Sequence, residues 1–360
     1  MIRHRNFILG VLGVLAANFC LFPARAEPYP AKPVKIVIPY PISGPTDIRG
    51  TSRMSRSYRL MAPNAPPAIT DTLARIVEQA IRADTPYPVV LKRQPGGATT
   101  RGAMSVARAT ADGHTLLLAS NATMVINPHY FHGVEYDPVR AFVLVAPLAT
   151  MPFVLMVNAG LPMDDVRGLT VWLKVRPGEI NFGSSGDGST GHLAGELFRR
   201  MAKLNVVHVS YNSGVNALTG LATRQVSLMF AALPLTLIYF PSEHFRPLAV
   251  TSSRRFERLP DLPTIAESGL PGYEIEGWYG LFAPVGSPPV ATAWLRAQIS
   301  SLVGSGVIQS YLRGLGLEPA TMTLEQFATR INTEIDQWAP LLRASRLPLK
   351  EGARTVIGER

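Results

Sequence analysis

The sequence predicts an α/β protein of parallel sheets with helices on both faces, long enough to form two lobes. Three observations carry that reading. Short apolar runs alternate with amphipathic stretches along nearly the whole chain, and Gly/Pro-rich turns separate them. The 360 residues exceed what one hydrophobic core usually organises. At mid-chain, Asn181-Phe-Gly-Ser-Ser-Gly-Asp-Gly-Ser-Thr-Gly-His-Leu193 leads from a strand through a Gly/Ser turn into a helix. In open α/β sheets that is where ligands sit.

The elements follow in order. Arg3, His4 and Arg5 precede an apolar stretch, Phe7 to Phe22, short for a membrane span, and Ala24-Arg25-Ala26 is a small-x-small cleavage site. Residues 1–26 therefore read as a secretory leader cut near Ala26, with a retained anchor as the alternative. Cys20 is the one cysteine and lacks the small neighbours that a lipid-attachment site prefers. The mature chain can form neither a disulfide nor a thiolate metal site. Val34 to Ile38 is a short buried strand. A loop rich in Pro, Ser and Arg runs from Pro39 to Pro67. Thr70-Asp71 reads as a helix N-cap, because Leu73, Ile76, Val77, Ala80 and Ile81 follow at helical spacing. Val89 to Leu91 is the next strand, Thr99 to Ala109 a helix, and His114 to Ala119 a strand.

The middle of the chain repeats the scheme. Phe153 to Val157 is a strand, Gly168 to Val175 a helix, and Ile180 to Phe182 a strand into the Gly/Ser turn. The helix after it sets Leu193, Leu197, Met201 and Leu204 on one face. Val206 to Val209 is a strand, Val215 to Thr223 a helix, Val226 to Phe230 a strand, and Phe245 to Thr251 a strand crossing back. The Gly277–Ala283 segment follows, then helices over Pro289 to Val303 and Leu324 to Leu342. Residues 346–360 are polar and read as a loose tail.

The formal charge is +10 and stays positive without the three arginines of the leader. Arg and Lys are scattered, with no basic stripe interleaved with aromatics, so nucleic acid is not an expected partner. Gly186-Asp-Gly-Ser-Thr-Gly191 satisfies G-x-G-x-x-G, but the next strand ends His208-Val-Ser-Tyr211, without the acid that would hold a dinucleotide ribose. Gly183-Ser-Ser-Gly186 lacks the spacing of a nucleophile elbow. His192 has only Glu196 at i+4, which makes no zinc site. His129, His132 and His208 are scattered and need no function. No cofactor or metal is expected, and Trp278 and Tyr279 read as core more than ligand contact. An anion site is the better reading of the turn: a strand-to-helix turn leaves N–H groups unpaired, and the helix dipole adds partial positive charge.

These residues resemble a known family. Ile180-Asn-Phe-Gly-Ser-Ser-Gly-Asp-Gly-Ser-Thr-Gly-His-Leu-Ala-Gly-Glu-Leu-Phe198 is similar to the signature of the tripartite tricarboxylate transporter binding proteins, the Bug receptors. So are Tyr29-Pro-Ala-Lys-Pro-Val-Lys-Ile-Val-Ile-Pro39, Ala111-Asp-Gly-His-Thr-Leu-Leu-Leu118, Asn127-Pro128, Val207-His-Val-Ser-Tyr211, Leu248-Ala-Val-Thr-Ser252 and Leu259-Pro-Asp-Leu-Pro-Thr-Ile-Ala-Glu-Ser-Gly-Leu-Pro-Gly-Tyr273. The resemblance covers nearly the whole mature chain, in order. It implies a periplasmic, non-catalytic receptor with the two-lobed type II periplasmic-binding-protein fold, closing over a small organic acid. The expected lobes are 27–146 with 250–345, carrying an inserted loop at about 48–69, and 147–249.

The resemblance also implies the ligand contacts. Ser185, Gly186, Gly188, Ser189, Thr190 and His192 would form the second-lobe cradle, with Tyr211 and Gly214 lining that lobe. Tyr40, Ser120 and Asn121 would contribute from the first lobe. The family's Pro-Pro-Gly-Gly-x-Thr-Asp loop has two counterparts here: Gly44, Thr46 and Asp47 after the first strand, and Thr70 and Asp71 before the first helix. Ser43 and Pro45 depart from the family pattern, and Pro45 supplies no N–H. After Phe230, where many relatives carry an acid and an amide, this chain has Ala231-Ala232, which argues against an ammonium-bearing ligand. Expected partners are a small organic carboxylate and either membrane transporter subunits or a membrane sensor, with the receptor a monomer. An exported hydrolase or oxidoreductase is the reading from another class.

Overall fold

The computed structural model describes residues 29–40, 69–344 and 347–348. The leader, the Gly44-x-Thr46-Asp47 loop, nearly all of the 48–69 insertion and most of the tail lie outside the described residues.

In the first half of the fold, β1 (Val34–Ile38) lies between β2 (Val89–Arg93) and β3 (Thr115–Ser120), parallel to both. β1 is buried at Val34, Ile36, Val37 and Ile38, as the near-continuous apolar run of an inner parallel strand requires. Helix α1 (Ile69–Arg82) turns Leu73, Val77 and Ile81 inward. Helix α2 (Thr100–Ala107) covers the neighbouring strands. β3 runs into a π-helical turn (Ala122–Ile126), then the short α3 (Asn127–Tyr130) and β4 (Phe131–His132).

One strand then joins the two halves. β5 (Phe142–Asn158) is 17 residues long. Its first part pairs antiparallel with β10 (Glu276–Pro284), up to Pro152. From Phe153 onward it pairs antiparallel with β8 (Leu228–Ala232) and β9 (Phe245–Val250). The sequence reading has only Phe153 to Val157 as strand here, and the segment before it, which contains Pro147 and Pro152, is strand as well. The sheet accommodates Pro147 opposite Gly280, where the β5–β10 register shifts.

The second half repeats the parallel pattern. β6 (Asn181–Ser184) lies between β7 (Val207–Ser210) and β8, parallel to both. Side chains of β5 alternate across this sheet. Val154 and Met156 face the cluster that holds Leu218 and Leu221 of α6 (Gly214–Ala222). Leu155 and Val157 face the larger core with Leu169 of α4 (Val166–Lys174) and Phe198 of α5 (Thr190–Met201). Burying each such side chain is worth about 1.5–3 kcal/mol. Asp165, Ser189 and Ser213 cap α4, α5 and α6 by accepting the N–H groups of Gly168, His192 and Asn216.

The path through the sheet is β2-β1-β3-β10-β5-β8-β6-β7. The parallel ladders are the outer ones; the antiparallel strands gather where the halves meet. Three α-helices, the four-residue α3 among them, and the π-helical turn are absent from the sequence reading. α7 (Leu233–Tyr239) begins inside an unbroken apolar run that resembles a continuing strand, with Pro234 in its first turn. After α8 (Pro289–Val303), α9 (Gly306–Gly314) follows a Ser305 cap. β11 (Glu318–Pro319) adds to β5, α10 (Leu324–Ala344) packs on the π-helical turn, and β12 (Leu347–Pro348) pairs with β4.

Candidate ligand site between the two halves

The carboxyl ends of β3 and β6 face each other across the crossing of β5 and β10, and a cavity lies between them. It encloses about 60 Å³, several times the ~10–15 Å³ that one water requires. That is the scale of a small organic molecule, not of a peptide.

One wall comes from the first half. Tyr40 follows β1, Ser120 ends β3, and Asn121 and Ala122 begin the π-helical turn. The opposite wall consists of Ser185, Ser189 and Thr190, at the start of α5, and Gly214, at the start of α6. Phe153, Met151, Met229, Phe230, Leu235 and Tyr279 supply apolar surface. Among the described residues lining the cavity, none is charged. One hydrogen bond joins the walls directly: the Thr190 hydroxyl donates to Asn121 Oδ1 at 3.1 Å, while Asn121 Nδ2 donates to the Glu276 carbonyl at 3.3 Å.

The Gly/Ser turn is shaped by its glycines. Gly186 (φ +134°) and Gly188 (φ +71°) adopt conformations that L side chains rarely enter. A Cβ at Gly191 would stand 2.7 Å from the Phe230 carbonyl oxygen, so α5 can approach β8 only without a side chain there. The turn satisfies several of its own N–H groups. Gly186 N–H donates to Ser184 Oγ at 3.2 Å, Gly188 N–H to His192 Nδ1 at 3.2 Å, and Ser189 N–H to the Gly186 carbonyl at 3.1 Å. Among the described residues, the N–H groups of Thr190 and Gly191 have no acceptor. With the start of α6 beside them, they give this wall its partial positive charge.

Behind the turn lies a pair of histidines. The rings of His192 and His208 stack with centroids 3.9 Å apart and 16° between planes. Burial pushes His192 down to about 4, with Asp187 opposing; burial and the neighbouring His192 push His208 down to about 4 as well. His208 Nε2 meets Ser184 Oγ at 2.7 Å, and Asp187 Oδ1 stands 3.6 Å from His208 Nδ1. The order Asp–His–Ser is that of a hydrolase triad, but Ser184 is fully buried, bonded to the Gly186 backbone, and away from the cavity. Ligand atoms of Asp187, His192 and His208 lie within 4.8 Å of one another. Stacked rings direct their lone pairs side by side, however, and Nδ1 of His192 already accepts a hydrogen bond. The group locks the turn.

Residues 73–347 match the sequence profile of the tripartite tricarboxylate transporter family receptors. The chain belongs to that family. Its relatives include the "UPF0065 protein in tcbD-tcbE intergenic region" of Pseudomonas sp. strain P51, 30% identical over 90% of this chain and 89% of that protein. Protein BugT of Bordetella pertussis is 28% identical over 95% and 98%. Among solved structures, R. palustris Rpa4515 with adipate is 29% identical, covers 88% of this chain and 98% of its own, and superposes with a TM-score of 0.72. MatC from Rhodopseudomonas palustris with bound malate is 25% identical, covers 87% and 100%, and gives 0.69. The periplasmic binding protein BugD is 26% identical over 88% and 98%, with 0.68. These likenesses establish the two-lobed fold of periplasmic solute-binding receptors.

In this family receptor the expected contact residues fall into three groups. Tyr40, Ser120, Asn121, Ser185, Ser189, Thr190 and Gly214 line the cavity. Gly186, Gly188, His192 and Tyr211 do not. Gly188 packs against Asn127, Tyr130 and Phe131, and His192 stacks behind the turn. Tyr211 lies over Gly220 of α6 and reaches Gln225 at 3.3 Å. Thr70 and Asp71 stand inside the first turn of α1, and Asp71 pairs with Arg93. Gly44, Thr46 and Asp47 lie outside the described residues. Sequence reading missed the apolar lining, since Met151, Phe153, Met229 and Phe230 look like any buried strand. It also missed His208, whose partner across the stack lies on another element. Ala231 and Ala232 line the cavity, so no acid stands at that place to hold an ammonium group.

On the far side of Asn121 a wider groove of about 610 Å³ is lined by Glu274, Glu276, Arg330 and Glu334. Burial raises Glu276 and Glu334, with Arg330 opposing. Its excess of carboxylates is the wrong sign for an anion.

Proposed function

We propose that this receptor captures a small organic carboxylate between its lobes and delivers it to the membrane subunits of a tripartite tricarboxylate-type transporter, without chemical turnover. The observation that carries the reading is a cavity rich in hydrogen-bond donors, free of charged side chains among the described lining residues, and walled by two helix starts. Rpa4515 with adipate and MatC with malate make dicarboxylates of four to six carbons the first candidates. An exported monomer, with the leader removed near Ala26, accords with the family's periplasmic place. The lobes, 27–146 with 250–345 and 147–249, would swing about β5 and the Thr251 contacts, where Thr251 N–H donates to the Phe153 carbonyl at 2.9 Å.

Each helix-start contact contributes about 0.3–1 kcal/mol to an exposed anion and more where water is excluded. Several must act together to reach the roughly −8 kcal/mol of micromolar binding. A calorimetric and thermal-shift screen of succinate, malate, glutarate and adipate tests this, since a ligand specific to the folded state raises the melting temperature. Binding by at least one acid, with no loss of that acid on prolonged incubation, is the expected result. Consumption of the acid would make the protein an enzyme, and no binding across the series would remove this ligand class.

A further inference from the structure

We infer that the first-lobe wall is a one-way hydroxyl relay, Asn127 to Thr99 to Thr123 to Tyr40 to Ser120, that presents a proton at the cavity and so selects an ionised carboxylate over an amide. This rests on the receptor reading above and deepens it by assigning a part in specificity to Thr99, Thr123 and Asn127, which lie outside the cavity lining.

The direction of the relay follows from its Tyr40 end, and the Asn127 end accords with it. Asn127 is buried, and its amide nitrogen faces the carbonyl of Ala98, which can only accept. A second contact of the same nitrogen reaches Thr99 Oγ1 at 3.4 Å. At the other end, the Tyr40 hydroxyl donates to Ser120 Oγ at 2.6 Å. A phenol has one proton, so at its other contact, 3.2 Å from Thr123 Oγ1, Tyr40 accepts. Thr123 thereby spends its single proton on Tyr40 and must accept across the 2.9 Å to Thr99 Oγ1. Thr99 donates there, its own oxygen facing the Asn127 amide. Ser120 receives the Tyr40 proton and keeps its own. Among the described residues nothing accepts that proton, and Ser120 lines the cavity. A ligand N–H at this place would leave a buried O–H without an acceptor, so an amide fits only with its carbonyl turned to Ser120, whereas either oxygen of a carboxylate satisfies the O–H and is strengthened by the polarised chain behind it. Burial raises the Tyr40 phenol despite its hydrogen bonds to Ser120 and Thr123, so it stays a donor.

Thr99 shows what the relay demands of the backbone. It occupies the N-cap of α2, yet its hydroxyl caps nothing and turns to Thr123 instead. Its φ is +80°, following Gly96, Gly97 and Ala98, all at positive φ. A β-branched residue rarely adopts that conformation, and such outliers concentrate at functional sites.

Thr123→Val tests the relay, because Thr123 lies outside the cavity lining and valine keeps its shape. Removing it frees Tyr40 and Ser120 to reverse, so the first wall can take an amide. The probes are adipate and its half-amide, adipamate. With donors on both walls, the native receptor should prefer adipate at least tenfold, and the variant should narrow that preference threefold or more. An equal loss for both probes with the ratio unchanged would overturn the relay while leaving the receptor reading intact. If neither probe binds, this choice of ligand fails and the relay is read on the free protein. Thr99→Val and Tyr40→Phe are joined by no direct hydrogen bond among the described residues, only through Thr123. Their double variant should then depart at least twofold from the product of the single effects on the unfolding constant; a simple product overturns the relay.

Discussion

The two walls of the cavity solve the same problem with different material. The second-lobe wall presents main-chain N–H groups at the starts of α5 and α6, and its Gly/Ser turn is held from behind by Ser184, His192 and His208. The first-lobe wall presents side-chain hydroxyls, Tyr40 and Ser120, ordered by contacts that reach back to Thr99 and Asn127. One draws mainly on a single turn, 184–192, with the start of α6 beside it; the other is assembled from residues nearly ninety positions apart. The compact wall depends on local backbone geometry, and the dispersed wall on the packing of the whole lobe. Perturbations should therefore separate them.

The largest separation should come from acid. His192 and His208 stay neutral in the folded protein down to about 4, whereas in the unfolded chain they take up protons near 6.5. The unfolded state binds more protons between those values. Stability is thus fully present above about pH 6.5, declines as pH falls towards 4, and loses nothing further from this source below that. Between pH 7.5 and 5 the loss is about 2 kcal/mol per histidine, and it falls on the second wall. Denaturant unfolding at the two pH values checks it. His208→Gln should remove about half of the difference, and an unchanged difference would sink the assignment.

Steric change at the same wall comes next. Gly191→Val forces a side chain against the Phe230 carbonyl and should cost about 2–3 kcal/mol, with binding lost as α5 lifts from β8. Melting curves read the first effect and calorimetry the second. A fully stable Gly191→Val protein would mean that α5 can shift without cost. Removing donors is milder. Ser189→Ala with Thr190→Ala should weaken the best acid about 10–30-fold, and Tyr40→Phe only a few-fold, because Ser120 keeps its proton. Reversal of that order would show that the dispersed wall carries more of the affinity.

The same contrast explains what could be read in the sequence. Val34 to Ile38 and Pro289 to Val303 were legible to the residue, since a short, mostly apolar run after Pro33 and a helix opened by Pro288-Pro289 and closed at Gly304 have clear bounds. The Gly186–Thr190 turn reads as an anion site because its glycines, serine and threonine stand together, and Ser189 and Thr190 line the cavity. Its chemistry was only half legible: Gly186 and Gly188 shape the turn and spend their N–H groups within it. The first part of β5 is not read as strand from the sequence; it holds two prolines, which the sheet absorbs at a register shift and at the change of partners. Thr70 and Asp71 looked like a cap but stand inside α1, where Asp71 pairs with Arg93, a contact across 22 residues that periodicity does not encode. The hydroxyl relay left no local signal, because its members share no spacing.

Where the walls touch, the effect should be smallest and most telling. Thr190 donates to Asn121 across the cavity at 3.1 Å, so the lobes hold each other directly, and a ligand that takes the Thr190 proton must break this bond. Asn121→Ala removes the cross-wall bond and leaves the Thr190 hydroxyl unspent. A neutral hydrogen bond of this kind is worth about 1 kcal/mol, which converts to a roughly fivefold shift of the open–closed balance toward open. A fluorescence-transfer pair with one dye on each lobe would register that shift in the unliganded receptor. The acid that binds best should lose less than this fivefold, because the freed Thr190 hydroxyl repays part of the cost of closure. If the lobes keep the same separation in Asn121→Ala, the bond bridges two walls whose spacing is set elsewhere, and the proposed hinge, β5 and the Thr251 contacts, becomes the determinant to examine.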